Sequence, residues 1–283
     1  MKDNEFYIQG GNEKNLYGKS WMPDGNPKAV VAILHDFSDH INRYENFSKF
    51  LTCHEIATIG IDQYGHGKSP GKRGHIKGYN LVLANAHQLM IETRRKFNDM
   101  PIFLYGHGMG GNIAINYAIR HTSKELTGVI VSSPWMKFVN DPPIWNIFLS
   151  KTLGKVLPSL TFDIDIDPME LSHDPYIGID YLEDPLNHGK ISIRLHKDMI
   201  KASKWIFENA ELLRYPILIM HGNEDRITSY LFSEKLSEKI TGNVELKIWD
   251  GLRHELHNEK SKNNIMQYML SWIRKITINN DQN

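Results

Sequence analysis

The 283-residue chain has the length of one large α/β domain with an insertion, or of two modest domains. Its 33 Lys and Arg residues balance its 33 Asp and Glu residues, and no basic run could follow a phosphate backbone, so we do not expect nucleic acid as a partner. Hydrophobic residues make up 41% and charged residues 23%, which indicates a folded globular protein and excludes general disorder.

The cysteine content and the first residues predict a cytoplasmic protein. The single cysteine, Cys53, cannot form an internal disulfide, and the start Met1–Glu5 lacks the apolar segment of a signal peptide. The longest strongly apolar run, Ala29–Leu34, is far shorter than the roughly 20 residues that span a bilayer. We therefore expect no transmembrane helix.

Short apolar runs rich in β-branched residues alternate with segments of helical period along the chain. The predicted strands are Ala29–Leu34, Ala57–Ile61, Ile102–Tyr105, Gly128–Val131, Ile217–Met220 and Val244–Trp249. The predicted helices of this main part are Leu81–Phe97, Asn112–Ile119, Leu231–Ile240 and Ser261–Ile276. This alternation predicts βαβ units, and hence a mostly parallel central sheet flanked by helices.

Roughly 85 residues separate the fourth and fifth predicted strands, far more than an ordinary crossover needs. This segment contains two helix candidates, Pro142–Leu157 and Ile193–Glu208, around a proline-punctuated stretch. We expect an inserted helical cap, or lid, at the carboxyl end of the sheet. The predicted organisation is a core over residues 1–134, a cap over 135–210 and a second core part over 211–283.

The first cap helix candidate carries a dense apolar stripe that includes Trp145 and Phe148. Such a stripe is typical of a buried helix face, which here would seat the lid on the main domain. An exposed apolar mouth is the alternative, one that takes up acyl chains or makes peripheral contact with a membrane surface. The sequence leaves both interpretations open.

A glycine-rich turn joins the predicted strand at 102–105 to the helix at 112–119. Glycines 106, 108 and 111 satisfy the dinucleotide pattern G-x-G-x-x-G, but the carboxylate expected about 20 residues later is absent from Val-Ile-Val-Ser-Ser at 129–133. The rival interpretation is the nucleophile elbow G-x-S-x-G, with Gly106 and Gly110 as its small residues. In that pattern Gly108 stands where the serine belongs.

Four further motifs follow predicted strands and favour the elbow. They are HDFSDH at 35–40, DQYGHGKS at 62–69, MHGNED at 220–225 and WDGLRHEL at 249–256. With these motifs the chain resembles the monoacylglycerol lipase family of α/β-hydrolases and the related lysophospholipase-like esterases, from about Leu16 to Ile273. The resemblance implies an α/β-hydrolase fold with a helical cap, and a serine ester hydrolase acting on monoacylglycerols or similar lipid esters without a cofactor.

The resemblance also implies the roles of individual residues. Gly108 occupies the nucleophile position, Asp225 is the acid, His254 is the base, and the backbone N–H groups of Phe37 and Met109 form the oxyanion hole. Without the motif, Asp225 reads as a turn or N-cap carboxylate and His254 as a surface loop histidine.

Asp39 and Arg43 match the family positions that bind the glycerol hydroxyls, with Asp39 one methylene shorter than the usual Glu, and Tyr181 in the cap is a further candidate for the same pocket. A solvated surface role is the alternative for each of them. Asp36 departs from the family, because it replaces the glycine expected after His35. A carboxylate near developing negative charge would oppose catalysis unless it points away.

The segment His254-Glu255-Leu256-His257 resembles a zinc motif only superficially. The pattern H-E-x-x-H needs histidines at i and i+4, and here the second comes one residue early. We therefore predict no metal site.

Glycine has no atom that can attack a carbonyl, so the chain cannot form an acyl-enzyme at residue 108. Removing a triad serine typically lowers kcat about 10⁶-fold, or about 8 kcal/mol of barrier. We expect an inactive chain in which His254 and Asp225 are hydrogen-bonded beside an open space above Gly108. Two functions remain: an ester hydrolase whose nucleophile was removed by design or lost naturally, and a pseudoenzyme that binds acylglycerols or other lipids.

Overall fold

The computed structural model of the protein describes residues 1–122, 126–140, 157–164 and 166–281. The predicted helix Pro142–Leu157 therefore lies outside the described residues except for Leu157, and so do Trp145 and Phe148. No helix of the described residues is long and apolar enough to cross a membrane.

The described strands fall into one large sheet and one short two-stranded sheet. The strands are β1 (Lys2–Gln9), β2 (Asn15–Met22), β3 (Ala29–Leu34), β4 (Ile56–Ile61), β5 (Ile102–His107), β6 (Gly128–Ser132), β7 (Thr161–Asp163), β8 (Lys190–Ser192), β9 (Ile217–Gly222) and β10 (Val244–Trp249). The helices are α1 (Glu45–Cys53), α2 (Tyr79–Lys96), α3 (Met109–Arg120), α4 (Pro175–Glu183), α5 (Ile193–Asn209), α6 (Tyr230–Lys239) and α7 (Lys262–Asp281).

The large sheet has the strand order β1-β2-β4-β3-β5-β6-β9-β10. Six neighbouring strands, from β4 to β10, pair in parallel, and β2 runs antiparallel to both of its neighbours. The expected mostly parallel sheet is thus observed. The edge pair β1 and β2 was not predicted, because β1 begins with the polar run KDNE and is largely exposed.

Both faces of the parallel strands are covered, which explains their continuous apolar sequences. In β3, Val30, Ala32 and Leu34 pack into one core cluster, and Val31 and Ile33 pack into the cluster on the opposite face. Full burial of each such Val, Leu or Ile side chain contributes about 1.5–3 kcal/mol. Packing on both faces therefore fixes the sheet and with it the positions of the loops at its ends.

The segment between β6 and β9 forms the insertion. It contains the antiparallel pair β7 and β8, the helix α4 between them, and α5, which agrees with the predicted helix Ile193–Glu208. β7 and α4 lie in the proline-punctuated stretch, β8 follows it, and none of the three was predicted. α5 is anchored to α3 by a 2.9 Å hydrogen bond from Asn112 to Ser203, and this joins the insertion to the main domain.

Candidate active site

The turn between β5 and α3 has the geometry that the elbow motif predicts. Gly108 adopts φ +51° and ψ −114°, a conformation that side chains rarely adopt. The neighbouring glycines allow close backbone approach, because a Cβ on Gly110 would lie 2.0 Å from the carbonyl oxygen of Leu34. The turn therefore presents residue 108 at the carboxyl end of the sheet, next to the loop that follows β3.

The space above Gly108 is occupied by Asp36, contrary to our expectation of an open space. A Cβ built on Gly108 would lie 1.9 Å from Asp36 Oδ1 and 2.1 Å from Asp36 Cγ. The Met109 N–H donates to Asp36 Oδ1 at 2.5 Å, and Asp36 Oδ2 lies 3.1 Å from His254 Nε2. The carboxylate thus holds the position of the missing hydroxyl, and it also occupies one predicted oxyanion donor.

The structure brings the predicted acid and base together. His254 Nδ1 lies 2.7 Å from Asp225 Oδ2, and both side chains are buried. They reach each other because the loops after the parallel strands β9 and β10 end at the same edge of the sheet. The arrangement provides a carboxylate, an imidazole and, in place of the serine, a second carboxylate.

The charges of these three groups depend on one another. Burial alone would raise the pKa of Asp225, but His254 and the hydrogen bonds from His221 and His254 hold that pKa well below its ordinary value. Burial alone would lower the pKa of His254, but Asp225 and Asp36 raise it well above its ordinary value. Both shifts favour an imidazolium placed between two carboxylates.

Sequence reasoning missed the residues that hold Asp225 in place. Thr228 Oγ1 lies 2.8 Å from Asp225 Oδ2, and the Ile227 and Thr228 N–H groups donate to Oδ1 at 2.8 and 2.9 Å. His221 Nε2 also lies 3.0 Å from Oδ2. The only sequence signal was the Asp-x-x-Thr spacing, which is typical of a carboxylate that caps its own turn.

A pocket at this end of the sheet collects the other predicted site residues. Its lining includes Phe37, Asp39, Arg43, Tyr181 and His254, together with Asp36, Ser38, Trp135, Phe138, Ile166, Pro168, Leu171, Ile227, Thr228 and Glu255. The free volume is about 30 Å³, which holds two or three water molecules at about 10–15 Å³ each.

Arg43 is held by two buried carboxylates at the polar end of the pocket. Its guanidinium donates to both oxygens of Glu255, at 2.8 and 3.0 Å, and to Asp39 Oδ1 at 3.2 Å. Its guanidinium carbon also lies 5.0 Å from the centroid of the Tyr181 ring. Glu255 was not predicted to take part, although it directly follows His254.

Asp39 retains one carboxylate oxygen for another partner. Its Oδ1 accepts from the His40 N–H at 2.7 Å as well as from Arg43. Its Oδ2 is buried without a hydrogen-bond partner among the described residues. A buried carboxylate oxygen of this kind can accept a hydrogen bond from a hydroxyl group that enters the pocket.

Comparisons with known proteins agree with this geometry. The Hydrolase_4 family model, described as serine aminopeptidase, S33, matches residues 25–261. An abhydrolase domain-containing protein of Dictyostelium discoideum is 33% identical over 267 residues, which are 93% of this chain but 28% of that protein. The monoacylglycerol lipase of Mycolicibacterium smegmatis is 28% identical over 255 residues, 89% of this chain and 90% of the relative.

A solved structure extends the similarity to three dimensions. The crystal structure of the Paleococcus ferrophilus monoacylglycerol lipase superposes with a TM-score of 0.83 at 28% identity, covering 92% of this chain and 99% of that chain. The resemblance inferred from the motifs is therefore confirmed. The chain belongs to the Hydrolase_4 family, serine aminopeptidase, S33, and is a monoacylglycerol lipase-like α/β-hydrolase.

Proposed function

We propose that this protein binds a monoacylglycerol-like lipid ester in the pocket beside Gly108 and does not hydrolyse it through an acyl-enzyme. The observation that carries the proposal is the position of Asp36. Its carboxylate contacts both His254 Nε2 and the Met109 N–H, the groups that a serine hydroxyl and a developing oxyanion would use. A pseudoenzyme with a lipid-binding pocket accounts for a site whose base and acid remain while its nucleophile is absent.

The pocket has the polarity that an acylglycerol head group needs. The free Oδ2 of Asp39 can accept a glycerol hydroxyl, and Arg43, fixed by Glu255, holds Asp39 in orientation. The Tyr181 hydroxyl donates to the Ser38 carbonyl at 3.3 Å, which closes this end of the pocket. The apolar walls suit the acyl part of the ligand.

Binding requires the pocket to widen, because pockets for lipid-sized ligands usually measure about 300–1,000 Å³. The insertion supplies part of the wall through Ile166, Pro168, Leu171 and Tyr181, and these residues must separate from the core. Its helix α4 presents Tyr176 and Leu182 to solvent, 71% and 65% exposed. Such apolar side chains support peripheral membrane contact through the cap of a cytoplasmic protein.

A natural loss of the serine explains the site better than a single designed replacement. A serine Cβ at position 108 and the Asp36 carboxylate would occupy the same volume in the described arrangement. The family resemblance implies glycine at position 36, so an active enzyme changed only from serine to glycine at position 108 would still carry that glycine. This chain carries Asp36 instead. The two departures complement each other, which favours the pseudoenzyme over a disabled hydrolase.

Calorimetric titration with a monoacylglycerol and with the methyl ester of the same acid tests the proposal. We expect the parent to bind the monoacylglycerol, while chromatography of the mixture shows no release of fatty acid. Asp39→Ala should weaken monoacylglycerol binding about 10- to 100-fold, since a hydrogen bond to a charged group contributes about 1.5–3 kcal/mol. The methyl ester, which has no glycerol hydroxyls, should bind parent and variant alike.

Two results would contradict this function. The parent would have to bind neither ester, or it would have to release fatty acid at a rate typical of a serine lipase. Equal losses of both ligands in Asp39→Ala would remove Asp39 from the head-group site but leave lipid binding standing.

A further inference from the structure

We propose that Asp36, His107 and His254 form a binding site for a divalent transition metal ion such as Zn²⁺. One ligand atom from each residue can be chosen so that all three lie within 4.8 Å of one another. Two imidazole nitrogens and one carboxylate oxygen are a ligand set that zinc uses in proteins, with a fourth position left for water. The set shares His254 with the segment 254–257 but does not include His257, whose spacing from His254 predicted no metal site.

Both histidines present the ring nitrogen that a metal would need. His107, the last residue of β5, has Nδ1 3.0 Å from the Ser132 carbonyl oxygen, so this nitrogen carries the proton. His254 Nδ1 is likewise held by Asp225 at 2.7 Å. In His107 the lone pair is therefore on Nε2, and in His254 Nε2 is the nitrogen left for a metal, as in histidine ligands that are oriented by a carbonyl or a carboxylate.

The Nε2 atom of His107 has an unmet bonding capacity. It is fully buried and has no hydrogen-bond partner among the described residues. Its ring lies 4.7 Å from the ring of His254, between centroids, at an interplanar angle of 48°. A buried acceptor without a partner is unfavourable, and coordination to a metal ion would satisfy it.

The distances suit a small ion. Asp36 Oδ2 and His254 Nε2 are 3.1 Å apart, close to the spacing of about 3.3 Å between ligands of a tetrahedral zinc ion at about 2.0–2.1 Å. The ligand atom of His107 lies within 4.8 Å of the other two, so a shift of at most about 1.5 Å brings it to the same spacing. Metal binding would replace the direct contact between Asp36 Oδ2 and His254 Nε2 with one bond from each residue to the ion.

The two departures from the family pattern are what create this site. Asp36 supplies the anionic metal-binding group, and Gly108 leaves the space that the Asp36 carboxylate occupies. Asp36 and His254 also line the pocket proposed to bind the lipid ester, so the fourth coordination position of the ion would face that pocket. A bound ion supplies a Lewis acid at the position of the missing hydroxyl.

Titration of the metal-stripped protein with Zn²⁺ alone, followed by calorimetry, tests the site. The parent should have one Zn²⁺ site per chain that binds more tightly than every other site on the protein. The Co²⁺ form should show the visible absorption of a four- or five-coordinate ion. Asp36→Asn keeps the size of the side chain but removes its charge, and should weaken this binding at least about 100-fold. This exceeds the loss of about 10- to 100-fold typical of residues that only support a ligand.

His107→Gln should have the same effect as Asp36→Asn, and His257→Gln is its matched control. His257 is also buried with an unpartnered ring nitrogen, its ring lies 5.0 Å from that of His107, and it is outside the proposed ligand set. The control should therefore bind Zn²⁺ as the parent does.

Surface histidines bind zinc weakly and equally in every variant, so the difference between variants decides the outcome. The proposal is wrong if the parent binds Zn²⁺ no more tightly than Asp36→Asn, or if His257→Gln loses as much affinity as His107→Gln. If His107→Gln fails to fold, Asp36→Asn carries the test. No lipid is present, so the result is independent of acylglycerol binding.

Discussion

The exchange of Asp36 and Gly108 for the residues of the family pattern should turn the site into a working serine esterase. The double variant Asp36→Gly with Gly108→Ser removes the carboxylate that lies 1.9 Å from the position of the new Cβ. The new hydroxyl would then face His254, which Asp225 already holds at 2.7 Å. Because loss of a triad serine lowers kcat about 10⁶-fold, the gain over the parent can approach that factor, and we expect at least about 10³-fold.

The single variants separate the two contributions. Gly108→Ser alone places its new Cβ 1.9 Å from Asp36 Oδ1, so the carboxylate must shift, but it remains an anion beside the oxyanion hole. Opposing the developing negative charge in this way should cost about as much as the loss of one oxyanion donor, which lowers kcat about 10²- to 10³-fold. This variant should therefore be at least about 10²-fold slower than the double variant. Asp36→Gly alone has no nucleophile and should stay at the level of the parent.

Hydrolysis of a short p-nitrophenyl ester and of a monoacylglycerol measures the effect, with thermal unfolding as the check on folding. His254→Gln in the double variant is the control and should return the rate to that of the parent. A double variant that folds as the parent does and yet shows no turnover above it would refute the reasoning, because acid, base and nucleophile would all be present.

Two further predictions concern stability and use denaturant unfolding. Arg43→Ala leaves two buried carboxylates, Asp39 and Glu255, without their cation and should lower the free energy of unfolding by about 3–5 kcal/mol. A loss under about 1 kcal/mol would show that these ion pairs are dispensable. Gly110→Ala places a Cβ 2.0 Å from the Leu34 carbonyl oxygen and should lower the free energy of unfolding by about 3 kcal/mol or more. In the control Gly25→Ala the new Cβ meets nothing within 4 Å, and stability should change by less than about 0.5 kcal/mol. Similar values for the two variants would contradict the close approach at Gly110.

The sequence predicted the parts of the fold that are buried on both faces. Strands such as β3 and β5 are continuous apolar runs because helices cover both sides of the sheet, and their composition identifies them. The edge strand β1 carries alternating exposed and half-buried residues and a polar start, so its sequence resembles a loop. The short strands and α4 of the insertion gave no periodic signal in or just after the proline-punctuated stretch.

The candidate site was predictable as far as its motifs reach. The motifs placed Asp225 and His254 on loops that meet at the sheet edge, although their catalytic roles remain predictions. The position of Asp36 was not predictable, because its contact joins the loop after β3 to the first residue of α3, Met109, 73 residues away. The direction of a side chain between such distant segments is set by packing. The same is true of the contact between Glu255 and Arg43.

Asp36 and Gly108 are best understood as one change rather than two. A side chain on residue 108 would collide with the carboxylate, and a glycine at residue 36 would leave His254 Nε2 and the Met109 N–H facing an empty space. Each departure alone leaves the site either overfilled or with a buried polar group unpaired. Together they fill the space and satisfy both donors. The pair therefore converts a site that would stabilise a developing anion into one that already contains an anion, and this explains how the acid and base can persist without the nucleophile they would serve.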